Sequence, residues 1–174
     1  MSSELRRAKE RYSAASDDAC REAAKVVTAD LGIEVHVTGW TNRAAEAYRA
    51  QWEPQVRHVD GDFDWPEIFR KYREPGNLEM CIWVDQRLCG IALATMSGQA
   101  VRIEFMEREP DDACPLAGGM IALVLDAASQ YAQRLGRREL RLHSVRLGLV
   151  SLYKAIGFVE VSPKGETPYL KRDV

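Results

Sequence analysis

The sequence predicts an α/β (α+β) chain built on a mixed central sheet, with an antiparallel meander, a parallel central strand pair, flanking helices and a C-terminal hairpin. Three observations carry that prediction. Residues 78–84 and 88–95 are apolar runs and residues 101–106 alternate, the three joined by the turn stretches Asp85-Gln86-Arg87 and Ser97-Gly98-Gln99, the pattern of neighbouring antiparallel strands. Residues 120–135 carry apolar side chains over a wide face at the helical period and stop at Gly136. Glu139-Leu140-Arg141-Leu142-His143 then alternates again, and a strand joined to its predecessor through a helix pairs with it in parallel by a right-handed crossover.

The totals narrow the function. The 174 residues are the size of one domain. Lys plus Arg number 24 against 26 Asp plus Glu, which lacks the basic excess of sequence-independent nucleic-acid binding. The longest apolar run, around residues 120–125, is too short to span a bilayer, and the N-terminus is charged from Glu4, so a cytoplasmic protein is expected. The four cysteines lack the close paired spacing of structural zinc sites and are expected to be reduced packing residues, although Cys81 and Cys89 flank a hairpin turn where they could face each other. His36, His58 and His143 have no metal-ligand spacing either, and His143 reads as a strand residue satisfied by a neighbour.

In chain order, residues 1–31 predict one or two helices broken near 13–16, with Ala19, Ala23, Val27 and Leu31 at four-residue steps and Gly32 as the stop; core packing is the preferred reading of this stripe, over a capping helix, a dimer arm or a partner helix. The chain divides there into an N-terminal helical extension, 1–32, and a main domain, 33–174. Residues 33–37 alternate as a strand, and Thr41 or Asn42 caps a helix carrying Ala45, Ala47, Tyr48 and Trp52. Asp60, Asp62 and Asp64 alternate like the opening of a calcium loop, but Trp65 and Lys71 stand where that loop needs glycine and glutamate. Asp64 is better read as an N-cap, with Pro66 in the first turn and Glu67 at N3.

In the central strand Val101, Ile103 and Phe105 alternate with Arg102, Glu104 and Met106. Residues 107–114, with Pro110, Asp111 and Asp112, are expected to leave the extended conformation, and Pro115-Leu116-Ala117-Gly118-Gly119 leads into the long helix. Strand, glycine turn and helix can make an anion cradle, because the first helical N–H groups lack internal partners; the two glycines can equally serve a tight turn alone. Residues 147–156 form a short helix ending at Gly157. Residues 158–161 and 167–170, joined through Pro163-Lys164-Gly165, close the chain as a hairpin.

This order of elements resembles the GNAT superfamily of acyl-CoA-dependent N-acetyltransferases. Leu152-Tyr153-Lys154-Ala155-Ile156-Gly157-Phe158 is similar to the family's Leu-Tyr-x-x-x-Gly-Phe segment, and residues 115–120 fall where the family carries its phosphate loop, Arg/Gln-x-x-Gly-x-Gly/Ala. The likeness runs from Ile33 to the end. Gly118 keeps its place in the loop, whereas Pro115 replaces Arg or Gln, Met120 replaces Gly or Ala, and Arg146 replaces an Asn.

The resemblance implies an N-acetyltransferase with acetyl-CoA as acyl donor, contacted by Leu116, Ala117, Gly118, Gly119 and Met120. It implies a strand N–H, that of Phe105 or Met106, polarising the thioester carbonyl, and Tyr153 as the acid that protonates the leaving thiolate. Glu104 and Glu107 are the candidate bases; strand alternation puts them on opposite faces unless a bulge intervenes, and Glu107, nearer the open end, is preferred. Arg146, at the carboxyl end of a parallel strand, is read as supplying the phosphate contact that Pro115 cannot. Asp60, Asp62, Glu107, Glu109, Asp111 and Asp112 point to a cationic acceptor, namely an amine-bearing small molecule, a lysine or a polypeptide N-terminus, or else are simply solvated loops. The alternative is a non-catalytic binding or regulatory protein of the same fold, using its N-terminal helices as partner surface. Those helices, with Trp40, Trp52 and Trp65 expected at the surface, leave a homodimer open.

Overall fold

The computed structural model describes residues 3–58 and 61–174. Its first element is one uninterrupted helix, α1 (Ser3–Leu31), not a broken pair. Ala15, Ala19, Cys20, Ala23, Ala24 and Val27 are buried along one side of it. Packing of that face on a partner helix outweighs the weak helix propensity of the serines at 13 and 16. Gly32, at φ 67°, ends the helix. The N–H of Val35 then donates to Thr28 Oγ1 at 3.0 Å, which ties residues 33–35 to the helix end. The first strand is therefore β1 (His36–Thr38), shorter and later than the alternation of residues 33–37 predicts.

Thr41 caps α2 (Asn42–Ala47) by accepting from the Ala44 N–H at 3.2 Å, and the helix widens into a π-helical turn over Tyr48–Trp52. Asp64 caps α3 (Trp65–Lys71) by accepting from the Glu67 N–H at 3.1 Å, as expected. The meander follows as β2 (Leu78–Val84), β3 (Arg87–Ser97) and β4 (Ala100–Arg108). Its first turn is Asp85-Gln86 alone, because Arg87 already pairs with Val84. Glu107 and Arg108 stay extended, contrary to the expectation from the turn residues beyond them, because Ile91 and Gly90 of β3 pair with them. The remaining elements are α4 (Met120–Arg134), β5 (Glu139–His143), α5 (Leu147–Ala155), β6 (Val159–Val161) and β7 (Tyr169–Asp173). β7 runs on to Asp173, past the expected 167–170, because Leu142 to Glu139 of β5 pair with Leu170 to Asp173.

The seven strands form one sheet in the order β1-β2-β3-β4-β5-β7-β6, antiparallel throughout except for the parallel β4–β5 pair. α1 and α4 cover one face, burying Leu78, Met80, Ile82, Val101, Leu123, Val124 and Tyr131 in the larger core. α2, the π-turn and α3 cover the other face over the meander, around Trp52, Trp65, Trp83, Ile91 and Leu93. Trp52 and Trp65 have no exposed surface and donate their indole N–H groups to Leu88 O and Glu107 Oε2, each at 2.7 Å. They are core residues rather than the surface aromatics expected from the sequence, and Trp40 is half-buried, stacked on Phe69. Cys81 and Cys89 do not face each other: Cys81 pairs with Ile91, and the two thiols belong to cores on opposite faces of the sheet. Among the described residues no helix is long and apolar enough to cross a membrane.

Candidate active site

The site begins with one irregularity in β4. Leu93 pairs with Phe105 and Ala94 with Ile103, so Glu104 is an extra residue, a β-bulge. Before it Val101 and Ile103 face α4; after it Met106 does so while Phe105 turns to the opposite core. Glu104 and Phe105 thus share a face. Thr95 Oγ1 donates to Glu104 Oε1 at 2.7 Å, and Arg102 Nη2 to Glu104 Oε2 at 3.1 Å.

The parallel ladder ends at the same place. β4 and β5 pair from Ala100↔Glu139 to Ile103↔Leu142, while β3 continues to pair with β4 as far as Arg108. The Glu109 N–H donates to Cys89 O at 2.9 Å, so by antiparallel alternation Glu107 and Phe105 also turn their main-chain groups toward β3. Met106, between them, turns its N–H and C=O toward the side that β5 has left. α4 follows β4, and α5 follows β5, so both helix N-termini stand at the carboxyl end of the parallel pair, beside that opening. This is where open α/β sheets bind ligands. An N–H donor on a strand edge and two helix N-termini favour an anionic or carbonyl-bearing ligand.

In the turn before α4 the Ala117 and Gly119 N–H groups donate to Cys114 O at 3.1 Å and Leu116 O at 2.9 Å. Gly118 is exposed at φ +85°, and a Cβ placed on it would meet nothing within 4 Å. Gly119 is buried, and a Cβ there would come within 2.9 Å of Leu31 Cδ1, so this glycine lets the end of α1 pass close. Leu116 is fully buried and Ala117 exposed. Met120 does not obstruct the loop: its side chain is buried against β3, where a Cβ on Gly90 would lie 2.9 Å from its sulfur. The methionine's bulk is accommodated by a glycine on a neighbouring strand.

Arg146 is the exposed N-cap residue of α5, and Ser144 before it takes φ 54° to turn the chain out of β5. Tyr153 lies on the buried side of α5, edge-on to Phe158 with ring centroids 5.8 Å apart. Burial pushes the phenol's pKa above its ordinary value, and the Arg146 cation draws it partly back.

The two glutamates have different surroundings. Glu107 is buried and accepts four hydrogen bonds: from Arg57 Nε (3.2 Å) and Nη2 (2.6 Å), from the Asp62 N–H (2.8 Å) and from Trp65 Nε1 (2.7 Å). Arg57 also donates to the Tyr48 hydroxyl at 2.6 Å and the Phe63 carbonyl at 3.2 Å. Glu104 lies on the sheet face beside His143, the last residue of β5. His143 stacks on Tyr169 at 5.0 Å, and its Nε2 is buried with no hydrogen-bond partner among the described residues. Burial and the Arg102 cation hold its pKa below the ordinary value, against the opposing pull of Glu104. Sequence spacing gave no reason to single it out.

The acidic loops are largely neutralised. Asp62 lies 3.6 Å from Arg57, Arg87 holds Glu109 (2.7 Å) and Asp111 (2.8 Å), and Arg108 is 3.6 Å from Asp112. Asp60 lies outside the described residues.

Comparison with solved structures decides the fold. The GNAT domain of S. lividans PAT superposes with a TM-score of 0.58 at 10% identity, covering 80% of this chain and 90% of that domain. The chain has the GNAT fold. The ribosomal-protein-S18-alanine N-acetyltransferase of Escherichia coli shares this GNAT fold with a TM-score of 0.55 at 14% identity, over 80% of this chain and 94% of the enzyme. The PaiA N-acetyltransferase of Thermoplasma acidophilum, solved in complex with coenzyme A, gives a TM-score of 0.52 at 16% identity, over 82% of this chain and 100% of that one. No family model and no curated protein matches the sequence. In the GNAT fold found here, the bulge and the two helix N-termini lie at the end where the β4–β5 ladder stops.

Proposed function

We propose that this protein is an N-acetyltransferase that takes an acetyl group from acetyl-CoA and passes it to a primary amine. The observation that carries the proposal is the end of the parallel ladder at Ile103↔Leu142, which leaves the Met106 main chain facing an opening flanked by two helix N-termini. Acetyl-CoA supplies the activated thioester. The open space at Gly118 and the N–H groups of the first turn of α4 suit its phosphates, with the main chain of Leu116, Ala117, Gly119 and Met120 forming the wall and the Arg146 guanidinium standing at the start of α5; the Ala117 and Gly119 N–H groups are engaged within the turn. The Met106 N–H, rather than that of Phe105, has the direction needed to polarise a carbonyl placed in the opening.

Tyr153 serves as the acid. A phenol is protonated at neutral pH and can give a proton to a departing thiolate; burial raises the Tyr153 pKa, which weakens it as an acid, and the Arg146 cation partly offsets that. Of the two carboxylates, Glu104 suits proton removal from the amine better than Glu107, whose oxygens already accept from four donors. His143 beside it offers a neutral imidazole with an unused nitrogen and can share that role. The acceptor is a small-molecule amine, a lysine or a protein N-terminus; the pairing of the acidic loops with arginines means recognition rests on local contacts more than on long-range attraction.

Calorimetric titration of acetyl-CoA and CoA, with Gly118→Trp as the blocked control, tests the donor site. Micromolar binding lost in the variant is the expected result. In an amine-acceptor screen, Tyr153→Phe should then lower kcat by about 10²- to 10⁴-fold with CoA affinity unchanged. Absence of binding at millimolar ligand would favour a non-catalytic binding or regulatory protein, the reading that Pro115 in the phosphate loop supports.

A further inference from the structure

Cys89, Glu109 and Cys114 are distant in sequence pattern but converge at one point. Cys89 lies near the start of β3, Glu109 follows the last residue of β4, and Cys114 precedes the turn into α4. All three are buried, and one ligand atom from each, the two Sγ and a carboxylate oxygen, lies within 4.8 Å of both others. Around a tetrahedral zinc, two thiolate sulfurs sit about 3.8 Å apart, so the three groups need to move little to share one ion. Arg87 Nε holds Glu109 Oε2 at 2.7 Å, which orients the carboxylate. An open cleft of about 670 Å³, lined in part by Arg87, Glu109 and Pro115, gives access from solvent.

From this geometry we propose a metal site for a thiophilic divalent cation of the zinc class, with Cys89, Cys114 and Glu109 as ligands. Two sulfurs exclude the hard cations Mg²⁺ and Ca²⁺, which take oxygen ligands. Charge balance supports exchange in a buried place. When a divalent ion enters, the two thiol protons leave, so the net charge of the group formed by the two cysteines, Glu109, Arg87 and Asp111 is the same with and without the ion. The ion would join the start of β3, the end of β4 and the loop leading to Gly118. The site does not depend on whether the chain transfers acetyl groups.

The test is metal content after incubation of the full chain with Zn²⁺ and gel filtration. About one zinc per chain is expected in the wild type and in Cys20→Ser and Cys81→Ser, falling at least tenfold in Cys89→Ser and Cys114→Ser. Should the serine variants fail to fold, Co²⁺ added to the wild type decides the matter: a thiolate-to-cobalt charge-transfer band in the near ultraviolet supports the site. Zinc below about a tenth of an equivalent in the wild type, equal zinc in folded Cys114→Ser and wild type, or cobalt without a thiolate band would overturn it.

Discussion

Glu107 and Glu104 are three residues apart on one strand, yet one is enclosed and the other lies on the sheet face beside His143. Glu107 binds a guanidinium, an indole and a loop N–H, so removing its charge leaves the buried Arg57 with only the exposed Asp62, 3.6 Å away, as counterion. Burial alone would lower the Arg57 pKa, but its bonds to Glu107 and Tyr48 more than offset that and raise it. Glu107→Gln should therefore destabilise the fold by about 3 kcal/mol, read as a lower urea midpoint with unchanged slope. The sequence named both glutamates as candidates and preferred Glu107 for its place nearer the open end of the strand, without sight of the donors that enclose it. Arg57 and Trp65 lie 50 and 42 residues away, and the pairing of one buried charge with another across that distance has no periodic signature. His143 was legible only as a strand residue and was expected to be satisfied by a neighbour, because the lack of a partner for Nε2 among the described residues is a property of packing.

At the scale of elements, local signals carried over well where the chemistry is local. Asp64 with Glu67 and Thr41 with Ala44 form the caps their spacing implies. β1 is displaced because Thr28, on the preceding helix, captures the Val35 N–H, a tertiary competition that alternation cannot reveal. The end of β7 depends on its pairing with β5, where Glu139 lies between Lys171 and Arg141. The hydrogen bond from Lys171, then that from Arg141, holds the Glu139 pKa below its ordinary 4.5. A depressed carboxyl stabilises the fold fully above the unfolded value and loses that contribution as the pH falls through the folded one. On acidification from pH 6 to pH 3, Tm should accordingly fall less in Glu139→Gln than in the wild type, as followed by circular dichroism.

Across the whole molecule, the GNAT order of strands and the packing of the α1 stripe into the core were readable from the sequence, whereas the choice of α4 as its partner was not. Ala19 and Ala23 have no exposed surface, and α1 lies along α4 within the larger core. Ala23→Leu should cost about 1–3 kcal/mol through overpacking, measured by thermal or urea unfolding, whereas a solvated arm would tolerate it. The bulge in β4 has a consequence of the same reach. Deleting Glu104 would leave Ile103, Phe105, Met106 and Glu107 each facing the core or network it faces now, in an unbroken alternation. The shortened strand is then free to stay alongside β5 beyond Leu142. Such a one-codon deletion should fold with undiminished Tm and, under the proposed function, bind no acetyl-CoA by calorimetry, because a more regular sheet would have zipped shut the gap proposed to take the donor.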